Sequence, residues 1–265
     1  MKKILIALLV LTAIIMAPIN AFAEDKTNVI NLGVSDADPQ YDPQNDYVNL
    51  VKENQMKYQL GNANSDKSGI TTMKRTCYTR KQITSYWCGL ASAEQVIRAY
   101  GNTNNLTATY GSLTDPVLGY VSGSYHQFTI NNYLGGVGTG GASASQITDA
   151  INHFSTGSFT WGYRHIPGNG TSAGQELLQY AVSTIGNNAK CCVVFADTTY
   201  YPYYGGTVCY HWVTLNGYSQ SMNVASSYFI VDPHYSTSYM GPHEVTAYQM
   251  GMAIERYNSK PNLIW

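Results

Sequence analysis

Gln82-Ile83-Thr84-Ser85-Tyr86-Trp87-Cys88-Gly89-Leu90-Ala91-Ser92-Ala93-Glu94-Gln95-Val96-Ile97-Arg98-Ala99-Tyr100-Gly101 is the stretch on which the reading of this chain turns. Its second half reads as a helix. Ala91, Ala93, Val96, Ile97 and Tyr100 fall at roughly helical spacing, and Gly101 supplies a C-terminal stop. Cys88 sits where a turn becomes that helix. A thiol there feels unpaired backbone N–H groups and the positive end of the helix dipole, and both favour thiolate over thiol. Gln82 lies six residues earlier, and its side-chain amide can donate hydrogen bonds. If the turn folds back, that amide and the Cys88 N–H cradle an oxyanion together.

A thiolate needs a base, and the C-terminal half offers one. Cys209 to Tyr218 and Tyr228 to Asp232 read as two strands, with Ser219 to Ala225 supplying the turn. His211 opens the first strand and Asp232 closes the second. In an antiparallel hairpin the start of one strand lies beside the end of the other, so the spacing brings both side chains to the same end. Pro233 cannot continue a sheet ladder and helps to end the strand at Asp232. A base with an orienting carboxylate requires this placement.

Taken together, these residues resemble papain-like cysteine peptidases. They are most similar to the bacterial branch typified by the leader peptidases of bacteriocin exporters, and to its secreted relatives. Cys88-Gly89-Leu90-Ala91-Ser92 with Tyr100-Gly101 matches the nucleophile helix, with Leu90 where Pro is commoner. His211, Val213, Gly217, Tyr218, Asp232 and Pro233 match the His-to-Asp segment. The resemblance covers roughly Cys77 to Asp232. It implies an α+β papain-like fold, with a helical half carrying the nucleophile at a helix N-terminus and packed on an antiparallel β-sheet half. It implies four roles: Cys88 as nucleophile, His211 as base and later acid, Asp232 orienting the imidazole, and Gln82 in the oxyanion hole. Each oxyanion donor is commonly worth about 3 kcal/mol.

The N-terminus reads as an export signal over residues 1–23. Lys2 and Lys3 precede an apolar run from Ile4 to Ile19, and Ala21-Phe22-Ala23 is a small-x-small cleavage pattern. The run is short for a membrane span, so the mature protein is expected to be soluble, without membrane insertion, and secreted (extracellular, wall-associated or periplasmic). Exporter leader peptidases face the cytoplasm, so their double-glycine specificity does not carry over. Residues 24–70 form a polar arm or pro-segment, with a short helical candidate from Asp46 to Leu60 and a linker from Asn62 to Gly69. Its low apolar content favours a spacer or arm over a docked inhibitor. Residues 71–265 are the peptidase domain.

Composition narrows the partners. Charged residues make up 12 % and net charge is −1, so no basic stripe is present to replace phosphate counterions, and nucleic acid is excluded. The expected partner is a peptide or protein substrate. The glycines among residues 135–141 lack the strand and Lys-Ser/Thr of a phosphate-binding loop, and Asn102 to Ser145 reads as a mobile loop near the cleft. A second helix starts near Ser143 or Ser145, and a third at Ser172, where Ser172-x-x-Gln175 forms a capping box. Cys191 to Ala196 is a further strand. His126, His153, His165, His234 and His243 lack the context of His211. His234 invites a metal reading, but no ligand spacing supports it, so neither metal nor cofactor is expected. Five cysteines in an exported chain leave one odd thiol, which suits Cys88 as nucleophile. Cys77, Cys191, Cys192 and Cys209 then form up to two disulfides by any of three pairings. Two other functions use the same residues: a peptidoglycan amide hydrolase or transamidase, and a catalytically silent secreted binding domain. Trp87-Cys88-Gly89 differs from the Asp-Cys-Ser of common wall hydrolases, and a binder has no need of all four residues.

Overall fold

A computed structural model of the protein describes residues 30–31, 70–99, 125–155, 157–168, 170–255 and 260–265. The expected export signal, the helix between Asp46 and Leu60, the linker before Gly69 and the Tyr100-Gly101 helix stop lie outside the described residues.

The central run Cys192-Val-Val-Phe-Ala-Asp197 is apolar on both faces, and it forms a strand buried on both faces. It is β4 of one sheet whose order is β3-β8-β4-β5-β6-β7. The partners are β3 (Tyr163–Arg164), β5 (Cys209–Ser221), β6 (Val224–Asp232), β7 (Gly241–Thr246) and β8 (Leu263–Ile264). Two short strands join the edge of β5: β2 (Ile70–Lys74) antiparallel and β1 (Ile30–Asn31) parallel. The other pairings are antiparallel.

Alternation along β4 divides the core into two layers. Cys191, Val193 and Phe195 pack with α1 (Cys88–Ala99), α2 (Tyr125–Tyr133) and α3 (Ala144–Phe154). Cys192, Val194 and Ala196 pack with α4 (Gly170–Ala181) and α5 (Ala247–Glu255). The protein is therefore α+β, an antiparallel sheet with the expected helical group on one face. The layer of α4 and α5 on the other face goes beyond the two-part layout expected from the sequence.

The nucleophile helix is pressed onto the sheet. Ser92 Oγ donates to Trp212 O at 3.1 Å, and Thr214 Oγ1 donates to Ser92 O at 3.4 Å. Gly89 permits this approach. A Cβ there would lie 2.7 Å from Ile147 Cδ1 and 3.2 Å from Trp212 Cδ1. On the opposite face α4 and α5 touch backbone to backbone, since a Cβ on Gly251 would lie 1.7 Å from Gly170 O.

Three expectations need correction. The Ser172-x-x-Gln175 capping box does not form: α4 already begins at Gly170. Gln175 instead holds the β5–β6 turn, with Nε2 donating to Asn223 O at 2.6 Å and Oε1 accepting from Ala225 N at 3.0 Å. That turn is only Met222-Asn223, both left-handed (φ 47° and 64°), so the strands run further than Ser219 and Ala225. α4 also continues past Ala181 as a π-helical turn, Val182–Asn187, and Arg75 caps it by donating to the carbonyls of Ile185 and Gly186. Finally, the stretch read as a loop before Ser145 contains α2. Its residues are poor helix formers, and the helix is held by burial of His126, Gln127, Thr129 and Ile130. The start of α3 is as expected, with Ser143 Oγ accepting from Gln146 N and Gln146 Oε1 accepting from Ser143 N.

Candidate active site

Cys88 is the first residue of α1, where N–H groups have no acceptor within the helix. The approach to it is a turn fixed at both ends. Trp87 N donates to Thr84 O at 3.4 Å, and Gln82 N donates to Pro233 O at 2.7 Å. The second bond ties the Gln82 segment to the residue that follows Asp232. The Gln82 amide donates one hydrogen to Thr84 O at 2.8 Å. Its Nε2 carries a second hydrogen, the one available to a bound anion. Gln82 is 1 % exposed, and Cys88, His211 and Asp232 are 0 % exposed.

The hairpin does what its spacing implies. Thr214 pairs with Val231, and beyond that pair His211 and Asp232 meet. His211 Nε2 lies 2.8 Å from Asp232 Oδ1. Among the described residues His211 Nδ1 has no oxygen or nitrogen partner. The Cys88 thiol lies against this ring, close enough to raise its pKa through hydrogen bonding and charge. With Nε2 occupied by Asp232, Nδ1 is the position open to the Cys88 proton.

Burial alone pushes the His211 pKa down, because a dry site disfavours the imidazolium. The Asp232 charge, its hydrogen bond and the Cys88 thiol outweigh burial and push it up to about 10. Burial raises the Asp232 pKa, but the His211 charge and hydrogen bond, the His234 N–H and the Tyr203 hydroxyl bring it below the usual carboxylate value.

Two tyrosines that the sequence reading did not single out complete the carboxylate's partners. Tyr203 Oη and Tyr204 Oη donate to Asp232 Oδ2 at 2.9 and 3.0 Å, while His234 N donates to Oδ1 at 2.8 Å. Both tyrosines sit on a 3₁₀ turn, Pro202–Tyr204, closed by left-handed Gly205. The sequence signal was Pro202 at the first position of that turn; nothing local links it to Asp232, about thirty residues on. Tyr203 stacks on His243 at 3.5 Å and Tyr204 on Tyr239 at 4.3 Å, which fixes both rings.

His234 is near the centre but differs from His211. Its ring lies 5.6 Å from that of His211, and burial followed by the His211 charge pushes its pKa down to about 4. It is therefore neutral, with Nδ1 accepting from Ser236 N at 2.9 Å. His153 is exposed and stacks on Tyr133. Among the described residues no group of three or more His, Cys, Asp or Glu is arranged to hold a metal ion, and no helix is long and apolar enough to cross a membrane. None of the five cysteines is joined in a disulfide, where up to two were expected. Adjacent Cys191 and Cys192 face opposite layers of the core, which rules out one pairing. Cys77 and Cys191, by contrast, hydrogen-bond each other.

No protein-family model matches the chain, and no curated protein matches it in sequence. Among solved structures it is similar to a double glycine motif protease from an AMS/PCAT transporter, crystallised in complex with the leader peptide. The similarity is to a protease. Identity is 13 % over 72 % of this chain and 91 % of that one, with a TM-score of 0.41. An overlap of this size carries no argument about activity, and the chemistry rests on the residues around Cys88.

Proposed function

We propose that this chain is a cysteine peptidase with a papain-like arrangement of its site. The observation that carries the reading is the chain of contacts from Cys88 through His211 to Asp232. A thiol at a helix N-terminus faces an imidazole whose far nitrogen is held by a buried carboxylate. His211 takes the Cys88 proton, and the thiolate attacks the peptide carbonyl carbon. The carbonyl oxygen becomes an oxyanion, bound by the Cys88 N–H and the second Gln82 amide hydrogen. His211 then protonates the leaving amine as the C–N bond breaks, giving a thioester. Water, deprotonated by His211, hydrolyses the thioester and restores the thiol.

Residues 1–23 direct export in this reading, and the mature protein acts outside the cytoplasm. Residues 24–70 are an arm, and the peptidase domain follows from about residue 71.

The test is mass spectrometry of the purified protein after iodoacetamide, beside Cys88→Ala and His211→Ala. Fast modification confined to Cys88, and slowed by loss of His211, is the expected result. Modification of Cys88 no faster than that of an unfolded thiol would refute the peptidase reading and favour the silent binding domain. Modification that is fast, with turnover of cell-wall peptide amides but of no protein, would move the substrate to peptidoglycan.

A further inference from the structure

A buried side chain from α2 brackets the residue Gln82 on both sides. Gln127, on α2, is 1 % exposed. Its Oε1 accepts from Ile83 N at 3.1 Å, and its Nε2 donates to Lys81 O at 2.9 Å. The amide thus pairs with the backbone on both sides of Gln82, as a neighbouring strand would. The second Nε2 hydrogen donates to Glu94 Oε2 at 3.0 Å. Glu94 is on α1, six residues after Cys88, and is 0 % exposed. Its other oxygen lies 3.0 Å from His126 Nδ1 and 3.4 Å from Arg80 Nε. Arg80 belongs to the same approach segment, two residues before Gln82.

We infer that Gln127, held by Glu94, is a positioning residue that sets the Gln82 amide over the Cys88 helix N-terminus. The inference rests on the peptidase reading. Gln82 and the Cys88 N–H come from different segments, and both must point at one oxygen for the oxyanion to be stabilised. A displacement of about 1 Å costs on the order of 100-fold in such a geometry. Gln127 bridges the backbone on either side of Gln82 to Glu94 of the Cys88 helix, beside the direct contacts of Glu94 and Gln95 with Arg80. Every polar atom of its amide is used, so no hydrogen bond is left to relax onto water.

The prediction separates two reactions at the same sulfur. Alkylation by iodoacetamide needs the thiolate but forms no oxyanion. Acylation by p-nitrophenyl acetate forms a tetrahedral oxyanion and releases p-nitrophenolate. Gln127→Met preserves the length of the side chain and removes all three hydrogen bonds. It should lower the acylation rate by about 10- to 100-fold and change alkylation by less than about threefold, the pattern expected of Gln82→Ala. Gln127→Glu is the second variant: it keeps the acceptor for Ile83 N–H, loses both donors and faces Glu94 with a like charge. The same selective loss is expected. Equal falls in both rates would show a general structural role and overturn the inference, as would acylation at the wild-type rate in both variants. A wild-type protein whose Cys88 reacts with neither reagent faster than an unfolded thiol would overturn the peptidase reading, and the positioning role with it.

Discussion

Asp232→Asn changes the charge of the site and almost nothing of its shape. The Asn carbonyl can still accept from His211 Nε2–H and from His234 N–H, which lie 2.8 Å from Oδ1. The two tyrosine hydroxyls, 2.9 and 3.0 Å from Oδ2, can rotate to accept from the new amide. What disappears is the anion that holds the His211 pKa at about 10 against an ordinary value of 6.5. That interval corresponds to roughly 5 kcal/mol, at about 1.36 kcal/mol per pH unit, and is the net effect of burial, which opposes the imidazolium, and of Asp232 and Cys88, which favour it. Without the anion, burial dominates and the imidazole is neutral at pH 7.

Cys88 then loses its cationic partner. Alkylation by iodoacetamide at pH 7 should therefore fall by about tenfold or more, because the thiolate is the reacting species. Rates measured by mass spectrometry between pH 5 and 10 should show a flat wild-type profile through neutrality and a steep rise with pH for the variant. The same substitution tests the linkage. Asp232 is depressed, so its contribution to stability is present above its unfolded value of about 3.8 and is lost as pH falls. His211 is raised, so its contribution is full below 6.5 and is lost as pH climbs to about 10. The wild-type melting temperature should decline on both sides of that window, and Asp232→Asn should flatten both limbs. An Asp232→Asn protein that melts cooperatively and alkylates at the wild-type rate at pH 7 would refute the reasoning.

Two further outcomes follow from contacts around the site. Tyr203→Phe with Tyr204→Phe removes both donors to Asp232 Oδ2; each buried hydrogen bond to a charged group is worth about 1.5–3 kcal/mol, so the alkaline limb of Cys88 alkylation should shift and stability should drop by several kcal/mol in thermal melts. Cys77 and Cys191 meet where β2 ends and β4 begins along β5, as Lys74 pairs with Gly217 and Cys192 with Leu215. Oxidised glutathione should therefore link them, releasing two molecules of glutathione per disulfide, and peptide mapping should find Cys77 joined to Cys191 rather than to Cys192 or Cys209.

What could be read from the chain was local. Cys88 at a helix start, the helix face behind it, and His211 and Asp232 on one hairpin are patterns within about twenty-five residues, and periodicity carries them. Gln175 shows where such reading fails. Ser172-x-x-Gln175 fits a capping box, but Gln175 lies beside the β5–β6 turn, and two bonds to that turn compete with one bond to its own helix. α2 has little helical periodicity because its buried polar residues serve partners on α1 and on the Gln82 segment. Tyr203, Tyr204, Gln127 and Glu94 were invisible for the same reason: each acts on a residue between 28 and 46 positions away, and no spacing rule spans that distance.

The protonation state of the site follows from the partners of Asp232. A carboxylate that accepts from two tyrosine hydroxyls, a backbone N–H and an imidazole has its lone pairs spent on donors, and protonating it would set a fifth hydrogen against them. Asp232 therefore stays ionised although it is fully buried. A buried anion demands a cation, and His211 is the ring in contact with it; His234, one ring further, is kept neutral by burial first and then by that same positive charge. An imidazolium between a carboxylate and a thiol favours ionisation of the thiol on its open side. The carboxylate thus acts through charge as well as orientation. Replacing it with an amide separates these two effects, because the amide keeps the ring in place while the charge is gone.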